Sequence, residues 1–270
     1  MNRQIGDIEA LGVNEIAYKR GHRYLTLVYQ IDEGRRRLLY VARDRTEKSL
    51  RGFFKTIPKS SLASLKFICT DMWRRYMNVI AECAADAVHV FDRFHVMKKM
   101  NEKINKVRAE ESRQLKSQGK GELLKHSRWC LLKRRENLSE KQAVKMSELL
   151  KTNLRCVKAY MMREDFQRFW MYSSPAWAGK FLDQWCTRAM RSKIEPMKEM
   201  AGTLRRHRPI LLNWFRARGE ISNGSVEGMN IKAKLAIGKA FGFKSYETIE
   251  IALYHQLGKL PEPNQTHEFC

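Results

Sequence analysis

The chain opens with apolar runs rich in β-branched and aromatic residues. Leu11-Gly12-Val13, Tyr24–Ile31 and Arg37–Ala42 are separated by the turn-forming segments Lys19-Arg20-Gly21-His22 and Asp32-Glu33-Gly34. Three consecutive strands with short connections predict an antiparallel meander. Apolar Leu50, Phe53, Phe54 and Ile57 recur at helical spacing, which predicts an amphipathic helix over 46–57. Leu65-Lys66-Phe67-Ile68-Cys69-Thr70 reads as a short buried strand ending at Asp71. A helix over 72–84 follows, then a strand Ala87-Val88-His89-Val90-Phe91 ending at Asp92. A meander followed by two crossovers implies a mixed sheet with helices on its faces, an α/β (α+β) class.

The pattern changes over 95–217. Lys and Arg are frequent, and the apolar residues, such as Leu149, Leu150, Leu154, Val157 and Met161, fall at helical spacing. An all-helical insertion of roughly five to seven helices is expected, broken near Pro175, Pro196 and Pro209. Residues 220–258 predict a capped helix and a last helix, Tyr246–Leu257, with a loose tail from Pro261. The expected organisation is a core whose first part is 1–97, a helical insertion over 98–217, and the rest of the core in 218–270.

Charge narrows the partner. Among 270 residues, 52 Lys and Arg oppose 29 Asp and Glu, a formal net charge of +23. A 43% hydrophobic content is enough for a packed core, so this is not a disordered basic tail. Such an excess calls for a polyanion, nucleic acid first and an anionic membrane second. No run of 18 apolar residues exists, and Met1-Asn2-Arg3-Gln4 carries no signal-peptide core, so a soluble cytoplasmic protein with no membrane partner is expected. Cys69, Cys83, Cys130, Cys156, Cys186 and Cys270 show no metal-finger spacing and read as reduced, mostly buried thiols.

Acids at strand ends carry the candidate chemistry. Asp71 and Asp92 each follow a predicted strand, and Ser222-Asn223-Gly224-Ser225-Val226-Glu227-Gly228 places a carboxylate in the first turn of a helix that also bears Lys232 and Lys234. Carboxylates converging on one sheet edge repel unless a divalent cation lies between them, and Mg²⁺ (or Mn²⁺) takes few carboxylates plus water and phosphate oxygens. The alternative for Glu227 is simple complementarity to the helix dipole. For Asp92-Arg93-Phe94-His95 it is a helix cap with a satisfied histidine. Lys98, Lys99, Arg128, Trp129 and Lys133 are candidate DNA contacts, with a solvated helix surface and a buried tryptophan as the alternative; an aromatic among cations can stack on an unpaired base.

The chain resembles the catalytic portion of DDE transposases of bacterial insertion sequences, of the ISL-three type. The resemblance rests on Leu11-Gly12-Val13-Asn14-Glu15-Ile16, Gly21-His22-Arg23-Tyr24, Thr70-Asp71-Met72-Trp73, Asp92-Arg93-Phe94-His95, Arg128-Trp129-Cys130-Leu131-Leu132-Lys133 and Ser222–Gly228, in that order across nearly the whole chain. It implies an RNase H-like core with a helical insertion before the last acidic helix. It makes Asp71 the second and Glu227 the third acid of a metal-binding triad, with Asp92 and His95 in support. It also implies Mg²⁺ or Mn²⁺ as cofactor, element-end and target DNA as partners, a homodimer on DNA, and a bacterial cytoplasm. The first acid is expected at the end of strand one, and Asn14 stands there. Glu15 points to the other face if that strand continues, and Asp32 lies in the next turn, so both are poor substitutes. The family's zinc-binding and helix-turn-helix region is expected ahead of strand one, where Met1 already lies, so weak selectivity for element ends is expected. Three readings remain open: a transposase core weakened by Asn14, a DNA-binding protein that kept the fold without the chemistry, and a resolving or RNA-cleaving nuclease of the same fold.

Overall fold

The computed structural model describes residues 5–19, 21, 23–217, 224–239, 243 and 245–260. The chain divides into two compact units, Met1–Phe94 with Ala217–Cys270, and His95–Arg216.

The first unit is built on one sheet. Its elements are β1 (Ala10–Lys19), β2 (Arg23–Asp32), β3 (Arg35–Arg43), α1 (Glu47–Thr56), α2 (Lys59–Ala63), β4 (Phe67–Thr70), α3 (Arg74–Cys83) and β5 (Val88–Phe91). The strand order is β3-β2-β1-β4-β5. The meander pairs are antiparallel, and β1–β4 and β4–β5 are parallel. Leu25 to Ile31 are buried without a break, as a strand covered on both faces requires. Two helices from the end of the chain complete this unit: α11 (Ser225–Lys239) and α12 (Tyr246–Leu257).

Strand alternation sorts the core in two. Ala10, Ile16, Leu25, Leu27, Tyr29 and Ile31 pack with Val226, Met229 and Ala233 of α11 and with Ile249 and Leu253 of α12. Leu11, Val13 and Val28 face Leu50 and Phe53 of α1 and Tyr76, Val79 and Ile80 of α3. α1 starts where expected because Thr46 caps it, its hydroxyl accepting from the Ser49 amide. β1 departs from expectation. It does not end near Asn14 but runs to Lys19, because Glu15, Ile16 and Ala17 continue the ladder opposite Thr26, Leu25 and Tyr24. The five-residue α2, which has no side-chain cap, was not anticipated.

The second unit is helical: α4 (Arg93–Ser117, beginning at the unit boundary), α5 (Arg128–Leu132), α6 (Glu140–Leu150), α7 (Arg155–Phe166), α8 (Pro175–Arg191), α9 (Glu195–Arg206) and α10 (Arg208–Arg216). Pro175, Pro196 and Pro209 each fall in a first turn, where the missing amide costs nothing. Aromatic rings fill this core, with Phe166 and Trp185 centroids 5.0 Å apart and Trp170 and Trp214 5.2 Å apart. Among the described residues no helix is long and apolar enough to cross a membrane. Five described cysteines are free thiols, and burial pushes Cys186 up to about 11. Cys270 and the tail from Pro261 lie outside the described residues.

Candidate active site

The parallel half of the sheet brings the first pair of acids to one edge. Thr70 of β4 is in register with Phe91 of β5, and the Asp92 amide donates to the Thr70 carbonyl at 2.9 Å. Asp71 and Asp92 therefore leave the carboxyl ends of adjacent strands, where side chains of open parallel sheets converge. Each carboxylate also organises its own turn. Asp71 Oδ1 accepts from the Trp73 amide at 3.0 Å, and Asp92 Oδ1 from the Phe94 amide at 2.8 Å. For Asp92 this is the helix-cap role at the start of α4.

Asn14 sits within β1, not at its end. It is buried, pairs with Leu27 of β2, and its Oδ1 accepts from the Glu15 amide at 2.7 Å. By alternation it shares the face of Ala10, Gly12 and Ile16, which is the face α11 covers. Gly12 makes that approach possible: a Cβ there would lie 2.6 Å from a Val226 methyl. Glu227 is the next residue along α11, half-buried in the first helical turn. That turn is set by Gly224, whose φ of +86° suits glycine and whose carbonyl accepts from the Gly228 amide at 2.8 Å. Ser222 and Asn223 of the expected cap, and His22 of the first turn, lie outside the described residues. Deeper on α11, Asn230 Oδ1 accepts from the Tyr29 hydroxyl at 3.0 Å, while its buried Nδ2 finds no partner among the described residues. Burial raises the Tyr29 hydroxyl well above its ordinary range.

Asp32 is committed elsewhere, its Oδ1 accepting from the Ala10 amide at 2.7 Å and its Oδ2 from Gln30 Nε2 at 2.5 Å. Glu15 does point to the opposite face, toward α3. There it meets a residue the sequence pattern had not marked. Arg45 Nε lies 2.7 Å from Glu15 Oε2, and Arg45 Nη2 lies 4.0 Å from Asp71 Oδ2. The guanidinium carbon stands 4.4 Å from the Trp73 ring centroid. Arg45 was missed because its only sequence signal is a lone cation between a strand and a capped helix.

The remaining candidates lie apart along the chain. His95 and Lys99 are half-buried on α4, and Lys98 is exposed. Trp129 is 52% exposed on α5 rather than buried, with the Arg128 guanidinium 5.1 Å from its ring centroid. Lys133 Nζ donates to Gln142 Oε1 at 3.2 Å. Arg163, also unmarked by the sequence, is buried and holds the carbonyls of Leu132 and Lys133 at 3.2 and 3.3 Å, which fixes the end of α5. Lys232 and Lys234 are exposed on α11. Among the described residues no group of three or more His, Cys, Asp or Glu stands ready to hold a metal.

Comparison with known proteins identifies the family. Residues 11–253 match the family model described as a transposase, of the ISL3 type of DDE enzymes. The chain is 33% identical over 242 residues to the transposase for insertion sequence element IS1001 of Bordetella parapertussis, covering 89% of this chain and 59% of that protein. It is 29% identical to the transposase for IS1557 of Mycobacterium tuberculosis, covering 96% of this chain and 62% of that protein. The chain thus spans about six-tenths of the length of these curated relatives. It belongs to the ISL3-type DDE transposase family.

Proposed function

We propose that the sheet of the first unit is an RNase H-like catalytic core for divalent-metal-dependent DNA cleavage and strand transfer, moving an insertion sequence. Asp71 and Glu227 are its metal-binding acids, and Asn14 occupies the position of the first acid. The observation that carries this reading is the order β3-β2-β1-β4-β5 combined with α11 packed on the face of β1 that bears Asn14. That arrangement supports a site at the carboxyl ends of β4 and β5, closed by the first turn of α11.

The residues present fit a hard divalent cation. Asp71 and Glu227 offer carboxylate oxygens, the first with its side chain 18% exposed beside Arg45. Mg²⁺ needs no closed protein cage, since it keeps water and phosphate oxygens of the substrate. When bound, the metal would activate an attacking oxygen and stabilise a leaving one. The protein's own part is positional. The Trp73 amide fixes the rotation of Asp71, Gly224 sets the first turn that carries Glu227, and Asn14 offers only a neutral oxygen already engaged with the Glu15 amide. Asp92 and His95 act in support. Lys98, Lys99, Arg128, Trp129, Lys133, Lys232 and Lys234 hold the DNA, and the chain works as a homodimer in the bacterial cytoplasm.

Asn14 makes the chain as written weak or inactive, because a neutral amide cannot balance two cations. Losing one such electrostatic group costs on the order of 10²–10³ in rate. The test is Asn14→Asp, assayed with Mg²⁺ on element-end DNA. The expected result is a gain of about that size in cleavage and strand transfer. Unchanged rates would show that position 14 is not the first member of the site. The Asn14 amide also favours a second reading, a DNA-binding protein without chemistry, which predicts DNA binding with no cleavage by either form.

A further inference from the structure

Arg45 is placed by an unusual backbone. Asp44, just before it, takes φ of +68°, a conformation that non-glycine residues adopt at a cost. Two bonds hold it there: the Asp44 amide donates to the Tyr24 carbonyl at 2.9 Å, and the Thr26 hydroxyl donates to the Asp44 carbonyl at 2.6 Å. The Thr26 hydroxyl in turn meets the Tyr76 hydroxyl at 2.8 Å. The loop thereby aims Arg45 back over the sheet edge, where its guanidinium carbon lies 4.4 Å from the Trp73 centroid and 6.0 Å from that of Tyr24. Its Nε makes a close ion pair with Glu15, 2.7 Å from Oε2 but without hydrogen-bond alignment. A guanidinium held by a ring face, a buried acid and a fixed loop does not swing away easily. Its charge stays beside Asp71, whose Oδ2 is 4.0 Å from Nη2.

A fixed cation beside a metal ligand is a handicap. Glu15 removes it: its side chain is 7% exposed, so its charge is little screened by water. Glu15, Arg45 and Asp71 together carry a net charge of −1, to which Asp92 at the same strand ends and Glu227 add at the proposed site.

We propose that Glu15 and Arg45 are positioning residues that set the charge at which Asp71 takes a divalent cation, Glu15 favouring uptake and Arg45 opposing it. The proposal rests on the reading of Asp71 as a metal ligand. With Glu15 neutral the cluster sums to zero; with Arg45 neutral it sums to −2; with both neutral it returns to −1. A role confined to packing has no such symmetry.

The test is Mn²⁺ titration of the purified protein followed by electron paramagnetic resonance, which needs no turnover. Glu15→Gln is expected to weaken Mn²⁺ binding roughly tenfold and Arg45→Gln to tighten it by about as much, as unit charges a few ångströms away dictate. The double variant is expected to return within about threefold of the parent, and Arg45→Lys, which keeps the charge, to stay near it. Should Glu15→Gln fail to fold, judged by circular dichroism, Arg45→Gln and the double variant carry the same comparison. Asp71→Asn, run in parallel, is expected to abolish the site. If Asp71→Asn removes binding but the two single variants shift it in the same direction, or not at all, the charge proposal is overturned and the site reading stands. If Asp71→Asn leaves Mn²⁺ uptake unchanged, both fall.

Discussion

A methyl group at position 12 has nowhere to go. A Cβ on Gly12 would stand 2.6 Å from a Val226 methyl and 3.3 Å from one of Ile31, and neither neighbour is a flexible polar end. Gly12→Ala is therefore expected to destabilise the first unit by about 1–3 kcal/mol, the usual cost of overpacking. Thermal melts check this, and Val226→Ala in the same chain should recover much of the loss by vacating the volume. A Gly12→Ala protein as stable as the parent would mean that α11 does not lie against β1 at that point. The same parity argument explains what could be read at Asn14 and what could not. That Asn14 and Glu15 face opposite ways was legible, because a strand alternates; that Asn14 lies inside β1 rather than at its end was not. The tie between Glu15 and Arg45 was not legible. Thirty positions separate them (45 − 15), and only the left-handed Asp44 turn brings them together.

Helix ends show how one element is completed by another. Leu154 precedes α7 and has no side chain able to cap it. The vacancy is met by Glu111 of α4, whose buried carboxylate accepts from the amides of Arg155 at 2.7 Å and Cys156 at 2.8 Å. A carboxylate at a helix N-terminus satisfies free amides and complements the helix dipole together. Glu111→Gln removes the charge and turns one acceptor into a donor facing an N–H. A loss of about 1–3 kcal/mol in the second unit is expected, measured by chemical denaturation, whereas a neutral outcome would show that water or a neighbour replaces the cap. A cap of this kind leaves no mark in local sequence, since the donors lie 44 and 45 positions from the acceptor. Locally encoded elements were readable: α1 from its apolar spacing, α12 to its bounds, and the mixed sheet from the order of strands and helices. The reach of β1 beyond Asn14 was not, because Glu15 and Lys19 hide the alternation and only pairing with β2 sustains that part of the strand.

At the scale of the whole chain, charge is the strongest quantity in the sequence and the one most cheaply tested. Some of the 52 cations are used internally: Arg208 with Asp183, Lys103 with Glu199, Arg51 with Glu82. Such pairs cancel and leave the surplus of 23 unanswered by the protein's own acids. Duplex DNA, the partner proposed above, answers it by releasing its counterions, so log K should fall linearly with log salt at about 0.9 per phosphate neutralised. Six to ten such contacts would cost roughly 10³–10⁵ in affinity between 50 and 200 mM salt. Where the contacts lie can be read from the slope. Lys232 and Lys234 are exposed on α11, within two turns of Glu227, so a duplex approaching the proposed site should meet them. Replacing both with Gln is expected to lower the slope by about two and to weaken binding evenly across DNA sequences, because phosphate contacts carry no base identity. Fluorescence anisotropy across a salt series measures both. An unchanged slope would remove α11 from the DNA path, and a flat salt dependence of the parent chain would remove DNA itself as the partner of its charge.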